Sequence, residues 1–430
     1  MDFLNVLRLT GYPISRASDF YNQLIREFAS SSDFKSKYAW EIFDYHYKNN
    51  SFYQQFVGNQ RPATWEEIPV IGREDLKRDF LKKIPDDISS KELYISSTSG
   101  SSGDPLWFAR DKFMHALIWL NVSHLYQMAG VSINSKQARF YGMPTNYKAR
   151  CKSRLKDRFA NRYRFDITDL SDSALKKWIS KFRKKRFNYI YGYSNTIAAF
   201  AYYLNSRSLI LSSVAPSLKA VIVTSEVCSE RDRSLIASSF GIPVYNEYGS
   251  SELGVMGFKY DDKYWHISER LMLLEVLNEE GKSVEEGEAG YLTSTLFHNR
   301  ATPFIRYQTG DIASIKKSNG NIYLSYIAGS LNDMAILPSG RKIPGINFYF
   351  VVENILDPSQ QIDRFLVKQK GFCFTLEYVA KSDLSNKAAE KIIRSFSTFL
   401  GSEQVRIEIK RVEELQRGVN GKFKHFIYEG

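Results

Sequence analysis

Residues 218–249 read LKAVIVTSEVCSERDRSLIASSFGIPVYNEYG. The run LKAVIVTS (218–225) is short and continuously apolar, the pattern of a strand buried on both faces of a parallel sheet. SERDRSLIASSF (229–240) then carries apolar residues at helical spacing, and IPVYNEYG (242–249) reads as the next strand. Strand, helix and strand in direct succession form a βαβ unit, so the two strands are expected to lie parallel with the helix against the sheet.

The alternation extends upstream. ARFYG (138–142) reads as a strand, and Ser171 is placed to cap a helix running through Phe182 (DSALKKWISKF). FNYIYGY (187–193) reads as a strand, followed by a helix from Asn195 to about Tyr203. Residues 17–50 and 111–128 look helical. From residue 266 the texture changes. HISERLMLLEVLNEEGKSVEEGEAGYLTSTLF has strand runs broken by Glu-Gly turns, which predicts an antiparallel meander or small barrel. Beyond Gly329–Asp333, segments such as INFYFVVENIL, GFCFTLEYVA and NKAAEKIIRSFSTFL suggest a separate small domain. The expected fold class is α/β. A large N-terminal α/β domain (1–331) has a parallel sheet and a small antiparallel part, and a small mobile α+β domain (332–430) follows it.

The chain has 430 residues, of which 43% are apolar, which supports a sizeable core and excludes global disorder. Lys and Arg number 59 against 47 Asp and Glu, a net charge of +12. That excess points to a polyanionic partner: nucleotide phosphates, nucleic acid or a membrane surface. Much of it is local, in Lys148–Arg164 and in Lys181–Arg186. Each run reads as a solvated helix face, with a phosphate- or membrane-facing patch as the alternative. No nucleic-acid-binding motif accompanies them. The three cysteines, Cys151, Cys228 and Cys373, are far apart and form no CxxC, which predicts a reducing compartment. The six histidines form no HxxxH or HExxH pair. The N-terminus lacks a signal-peptide core, and no apolar run approaches the ~18 residues of a membrane span. The expectation is a cytoplasmic protein, with peripheral membrane association left open.

Four segments carry chemistry. Thr98–Pro105, TSGSSGDP, lies between the strand-like LYIS and a long aromatic-rich segment. It is not a Walker loop, because the G-x-x-x-x-G-K-[ST] pattern is absent. Glycine and hydroxyl residues after a strand can nevertheless wrap phosphates with backbone N–H and side-chain donors. A flexible linker is the alternative. Glu252, beyond the strand ending in YNEYG, stands where α/β proteins bind ligands and is placed to hold Mg²⁺. Asp311, in RYQTGD, is placed to accept from ribose hydroxyls, and Lys422, near the C-terminus, to reach developing phosphate charge. Arg306 is placed to meet either a phosphate or an acidic neighbour. His266 reads as a structural histidine.

Together these segments resemble the adenylate-forming superfamily of acyl-CoA synthetases and acyl-adenylating enzymes. TSGSSGDP resembles its phosphate-binding loop and YGSSE (248–252) its Tyr-Gly-x-Thr-Glu motif. YQTGD (307–311) resembles its Tyr-Arg-Thr-Gly-Asp motif, and NGK (420–422) its C-terminal lysine motif. The short N-terminus, YGYSNTIAAFA, TSEVCSERDR and TPFIRYQTGD look most like the phenylacetate–CoA ligase branch, within it the CapK-type capsular-polysaccharide biosynthesis proteins.

The resemblance implies ATP- and Mg²⁺-dependent activation of a small-molecule carboxylate to an acyl-adenylate. Acyl transfer would follow to coenzyme A, a carrier-protein thiol or a sugar acceptor. Thr98, Ser99, Gly100, Ser101, Ser102 and Gly103 would hold the β- and γ-phosphates. Glu252 would bind the metal, Ser251 would contact the α-phosphate and Asp311 would fix the ribose. Ser225, Glu226, Tyr248 and Gly249 would lie along the adenine side. Tyr191, Gly192 and Tyr193 are candidates for the acyl pocket, with ordinary core packing as the alternative. Lys422 would bridge carboxylate and phosphate, and Asn332 would be the hinge. The chain departs from the family at Gly329-Ser330-Leu331-Asn332, where Gly-Arg-x-Asp/Lys is usual, and at Leu106, where a lysine often follows the loop's proline. Ser330 cannot supply the charged fork of a guanidinium. A catalytically impaired scaffold protein of polysaccharide assembly is therefore the alternative function.

Overall fold

The computed structural model describes residues 2–77, 80–98, 105–143, 146–260, 263–318, 321–330, 334–353, 362–380, 382–415 and 426–429. The chain forms two units. The first is Met1–Thr309 with Ser314–Tyr326, and the second is Gly310–Ala313 with Ile327–Gly430.

In the first unit, helices at Ile14–Ser30 and Phe34–Asn49 precede a hairpin of β1 (Leu93–Ser97) and β2 (Trp107–Asp111), with Ser97 opposite Trp107. Asp111 closes the hairpin and caps the helix Lys112–Met128, its carboxylate accepting from Met114 N at 2.7 Å.

One large sheet follows. Its strands in chain order are β3 (Gln137–Phe140), β4 (Arg162–Arg164), β5 (Tyr189–Tyr193), β6 (Ala220–Thr224), β7 (Val244–Ser250), β8 (Gly254–Lys259), β9 (Trp265–Ile267), β10 (Met272–Leu277), β11 (Gly290–Leu296), β12 (Tyr307–Ser318) and β13 (Asn321–Ser330). Across the sheet the order is β10-β11-β12-β13-β9-β8-β7-β6-β5-β3-β4. β3 pairs in parallel with β4 and β5, β5 with β6, and β6 with β7. The chain then doubles back. β8 pairs antiparallel with β7 and β9 with β8, while β10 and β11 also run antiparallel. The antiparallel strands expected from residue 266 are thus present, but they continue the parallel sheet instead of forming a separate barrel. β8 covers the edge of β7 and hands the sheet on.

β6 is buried along its whole length, which is why its sequence is a continuous apolar run. Val221 and Val223 pack with Phe140, Trp178, Phe200 and Phe240 on one face. Ala220 and Ile222 pack with Val122, Leu125 and Tyr126 on the other. The helix Asp172–Lys184 belongs to the first of these layers, and Ser171 caps it, its hydroxyl accepting from Ala174 N at 3.3 Å. Ser171→Ala should cost about 1 kcal/mol, read as a lower urea midpoint at unchanged slope.

The second unit holds a hairpin, β14 (Met334–Ile336) with β15 (Lys342–Pro344). It also holds a sheet of β16 (Ile362–Lys370), β17 (Cys373–Ala380), β18 (Arg406–Arg411) and β19 (Phe426–Tyr428), in the order β18-β17-β16-β19. Helices Ile346–Glu353 and Asn386–Leu400 accompany it, and Phe348 stacks among Phe374, Phe396 and Phe426.

Candidate active site

Ser99, Gly100, Ser101, Ser102 and Gly103 lie outside the described residues, as do Asn332 and Lys422. What is described is the neck of the Ser/Gly loop. Thr98 N donates to Leu106 O at 2.9 Å, and Leu106 N donates to Thr98 Oγ1 at 3.0 Å. The two flanks of the segment are therefore joined to each other as strands of one hairpin. Arg73 Nη2 donates to the same Thr98 oxygen at 3.1 Å. Arg73 is placed there because the segment before it pairs with the start of β12. Ile71 N donates to Arg306 O at 3.1 Å, and Gln308 N donates to Ile71 O at 2.9 Å.

The YGSSE segment makes the turn from β7 to β8. A Cβ at Gly249 would sit 2.2 Å from Gly254 O, and the register shifts between Tyr248 and Gly249, so this close approach requires glycine. Ser250 Oγ accepts from Leu253 N at 3.2 Å. The turn leaves Ser251 exposed and turns Glu252 inward, 5% exposed. Tyr307 Oη donates to Glu252 Oε1 at 3.3 Å. Burial pushes the Glu252 carboxyl above its ordinary range, while hydrogen bonds from the turn backbone, Ser250 and Tyr307 and the charge of Arg73 pull the other way. Thr98, Arg73, Glu252 and Tyr307 are thereby brought together. Asp311 follows Gly310 on β12, half-buried, and belongs to the second unit.

A second group gathers at the C-terminal ends of the parallel strands, where α/β sheets bind ligands. Ser225, the first residue after β6, has φ +68°, unusual for a non-glycine residue. Its hydroxyl lies 2.7 Å from that of Tyr141. Glu226 is turned onto the start of the helix Ser194–Asn205, its Oε2 accepting from Asn195 N at 3.0 Å. Tyr191 and Tyr126 donate to the buried Glu247 at 2.8 and 3.0 Å. Arg139 lies over the rings of Tyr141 and Tyr191, at 4.5 and 4.9 Å. Of the three expected pocket residues, Tyr191 is half-buried at this edge. Tyr193 packs into the core with Phe140 and Ile197, and a Cβ at Gly192 would meet Phe140 O at 2.1 Å. Gly192 is thus required by strand packing. Tyr248 lies edge-on to Trp265 at 6.1 Å.

Arg306 takes the acidic neighbour and backbone carbonyls, and the phosphate reading is corrected. It is 1% exposed, Nη1 donates to Glu66 O and Ile68 O, Nη2 donates to Gly281 O, and Nε is 3.5 Å from Glu275. His266 is structural as expected, with Nδ1 2.9 Å from Tyr260 Oη and its ring stacked on the same tyrosine. Lys181 and Lys185 of the second basic run lie over Tyr163, at 5.2 and 5.0 Å. A cleft of about 1060 Å³ lined by Phe52, Phe56, Glu74, Lys77, Leu81 and Asp86, among others, contains none of the motif residues. Among the described residues no helix is long and apolar enough to cross a membrane, and no three His, Cys, Asp or Glu gather as a metal cage. A single buried carboxylate does fit Mg²⁺, which takes its remaining ligands from phosphates and water.

Sequence reading missed Arg73, Arg139 and Tyr141. Arg73 and Arg139 are lone cations with no motif around them. Tyr141 lies just past a strand's C-terminal end, and that position was its one available signal.

No family model matches the chain. It is 26% identical over 222 residues to the phenylacetate-coenzyme A ligase of Thermus thermophilus, covering 48% of this chain and 47% of that one. It is 25% identical over 147 residues to the indoleacetate–lysine synthetase of Pseudomonas savastanoi, covering 33% of each. The chain thus spans about half the length of the first of these relatives and about a third of the second. In fold it is similar to a 2-hydroxyisobutyryl-CoA ligase in the postadenylation state with 2-HIB-AMP, with a TM-score of 0.69 at 14% identity over 91% of this chain and 88% of that one. It is also similar to ATP-bound MatB from Rhodopseudomonas palustris, with a TM-score of 0.57 at 15% identity over 79% and 68%. The chain is thus similar in part of its sequence to two acid-activating ligases, and it shares its fold with two CoA or ATP-binding ligases of the adenylate-forming kind.

Proposed function

We propose that this protein activates a carboxylic acid with ATP and passes the acyl group to a second substrate. A substrate carboxylate oxygen attacks the α-phosphorus and pyrophosphate leaves. A nucleophile on the acceptor then attacks the acyl carbon and AMP leaves. The observation that carries the reading is Arg73, which donates to Thr98 at the neck of the Ser/Gly loop while its charge acts on the buried Glu252, itself held by Tyr307.

In this reading Thr98–Gly103 cradle the β- and γ-phosphates, and Arg73 fixes the loop's first hydroxyl. Glu252 holds Mg²⁺, which when bound offsets phosphate charge that otherwise repels the incoming carboxylate. Ser251, exposed at the turn, contacts the α-phosphate. Ser225, Glu226, Tyr248 and Gly249 border the adenine, and Asp311 holds the ribose. Lys422 bridges the carboxylate and the phosphate, and Asn332 is the hinge between a 1–331 adenylation domain and a 332–430 lid. Tyr191, with Tyr141 and Arg139, borders the acyl group. The acceptor is coenzyme A, a carrier thiol or a sugar. A role in surface-polysaccharide assembly in the cytoplasm rests on the CapK-type resemblance.

A second reading, a binding or scaffold protein on the same fold, is favoured by Ser330 and Asn332 at the hinge. Carboxylate-dependent ATP–pyrophosphate exchange separates the two. Exchange is expected with at least one member of a panel of aryl, short aliphatic, hydroxy and amino acids. No exchange across the panel, with no ATP binding by calorimetry, leaves the scaffold reading.

A further inference from the structure

The helix Tyr147–Phe159, YKARCKSRLKDRF, is built inside out. Its protein-facing side consists of Ala149, Ser153 and Asp157, and of its residues only Asp157 is buried. Asp157 anchors the helix through Arg164, which donates from Nε at 2.8 Å and from Nη2 at 3.1 Å. Among the described residues, small side chains and the Asp157–Arg164 ion pair lie on that side. Its large apolar residues point the other way. Tyr147 is 77% exposed, Leu155 56% and Phe159 43%, and Cys151 is exposed as well. These four are spaced at i, i+4, i+8 and i+12, so they form one continuous stripe along the outer face. Lys148, Lys152 and Lys156 run along one side of the stripe, and Arg150, Arg154 and Arg158 along the other, all exposed.

We infer that this face seats the protein on an anionic lipid bilayer. An interfacial helix immerses an apolar strip at the headgroup boundary while flanking Lys and Arg reach outward to anionic headgroups. The stripe and its two basic rows have that arrangement, over about 20 Å of helix. A nucleic acid would be satisfied by the basic rows alone and leaves a strip of Leu and Phe unexplained. No helix among the described residues can span a membrane, so the contact is peripheral.

Vesicle flotation of the full chain tests this. It should partition onto phosphatidylcholine vesicles containing about one third phosphatidylglycerol and not onto pure phosphatidylcholine, with binding falling about tenfold or more in about 0.5 M NaCl. The double variant Leu155→Asp, Phe159→Asp should lose about tenfold or more of the partitioning with its thermal midpoint unchanged, because both side chains are exposed. Lys152→Glu with Lys156→Glu should lose a similar amount. Absence of binding to the anionic vesicles, equal binding to neutral ones, or full binding by the Leu155/Phe159 variant would each overturn the inference. So would RNA capture that depends on the same lysines without vesicle binding.

Discussion

Glu252→Gln should lower ATP–pyrophosphate exchange roughly 10²–10³-fold while leaving stability at neutral pH equal to or above that of the parent. The two effects have one origin. Glu252 is almost fully buried, and desolvation raises its pKa. The folded state therefore favours the protonated form, and this group's contribution to stability grows as pH falls through the folded pKa and is lost as pH rises above it. Glutamine keeps an oxygen for the Tyr307 hydroxyl and removes the disfavoured charge, so the fold is relieved. Cation binding requires the carboxylate. In the parent protein the acid limb of exchange should therefore lie above the ordinary carboxylate range of about 4.3, and added Mg²⁺ should move it to lower pH. Exchange measured against pH at two Mg²⁺ concentrations, beside urea melts of both proteins, reads all of this. A Gln variant with normal turnover at low Mg²⁺ would remove the metal assignment. A Gln variant that is less stable at neutral pH would show that the carboxylate serves packing.

Some of this site was readable without coordinates, for definite reasons. β6 could be placed because AVIVT is buried on both faces, so its pattern depends on no knowledge of which face is which. Ser171 was readable because local geometry at a helix start selects the residue type. Arg73 was invisible because its value comes from a partner 25 positions away and from strand pairing with residues around 307. Gly192 was ambiguous because tight sheet packing and a substrate pocket both select glycine, and the 2.1 Å approach of a Cβ to Phe140 O, invisible in the sequence, supplies the packing reason. The basic run 148–164 could be counted, but its meaning depended on which side of the helix the fold occupies. Once Ala149, Ser153 and Asp157 are known to face inward, the i+4 apolar row must face out. For the antiparallel half, a meander and a small barrel both stayed open because Glu-Gly turns mark hairpins equally well in either.

Arg306→Met should destabilise the protein by about 3–5 kcal/mol, the cost of leaving one partner of a buried ionic group behind. Arg306 ties three stretches of chain to the start of β12. Its guanidinium satisfies the carbonyls of Glu66, Ile68 and Gly281, and its backbone N donates to Thr295 Oγ1 at 2.9 Å. Methionine fills much of the volume but leaves those carbonyls without a donor and Glu275 without its cation. Burial already raises the Glu275 pKa, and the Arg306 charge and a hydrogen bond from Trp65 restrain the rise. In the variant that pKa climbs further, so Glu275 takes up a proton more readily in the folded state and the variant regains stability as pH falls. The gap between parent and variant should therefore be widest at neutral pH and narrow toward acid. Adding Glu275→Gln should recover part of the loss, giving a coupling energy of about 1–3 kcal/mol in the double-mutant cycle. The loss also reaches the site, because Arg306 O receives the Ile71 N–H that sets Arg73 against Thr98. If Arg306 instead contacted a phosphate, the Met variant would melt like the parent and differ only in ATP affinity, a result that urea melts and calorimetry would separate at once.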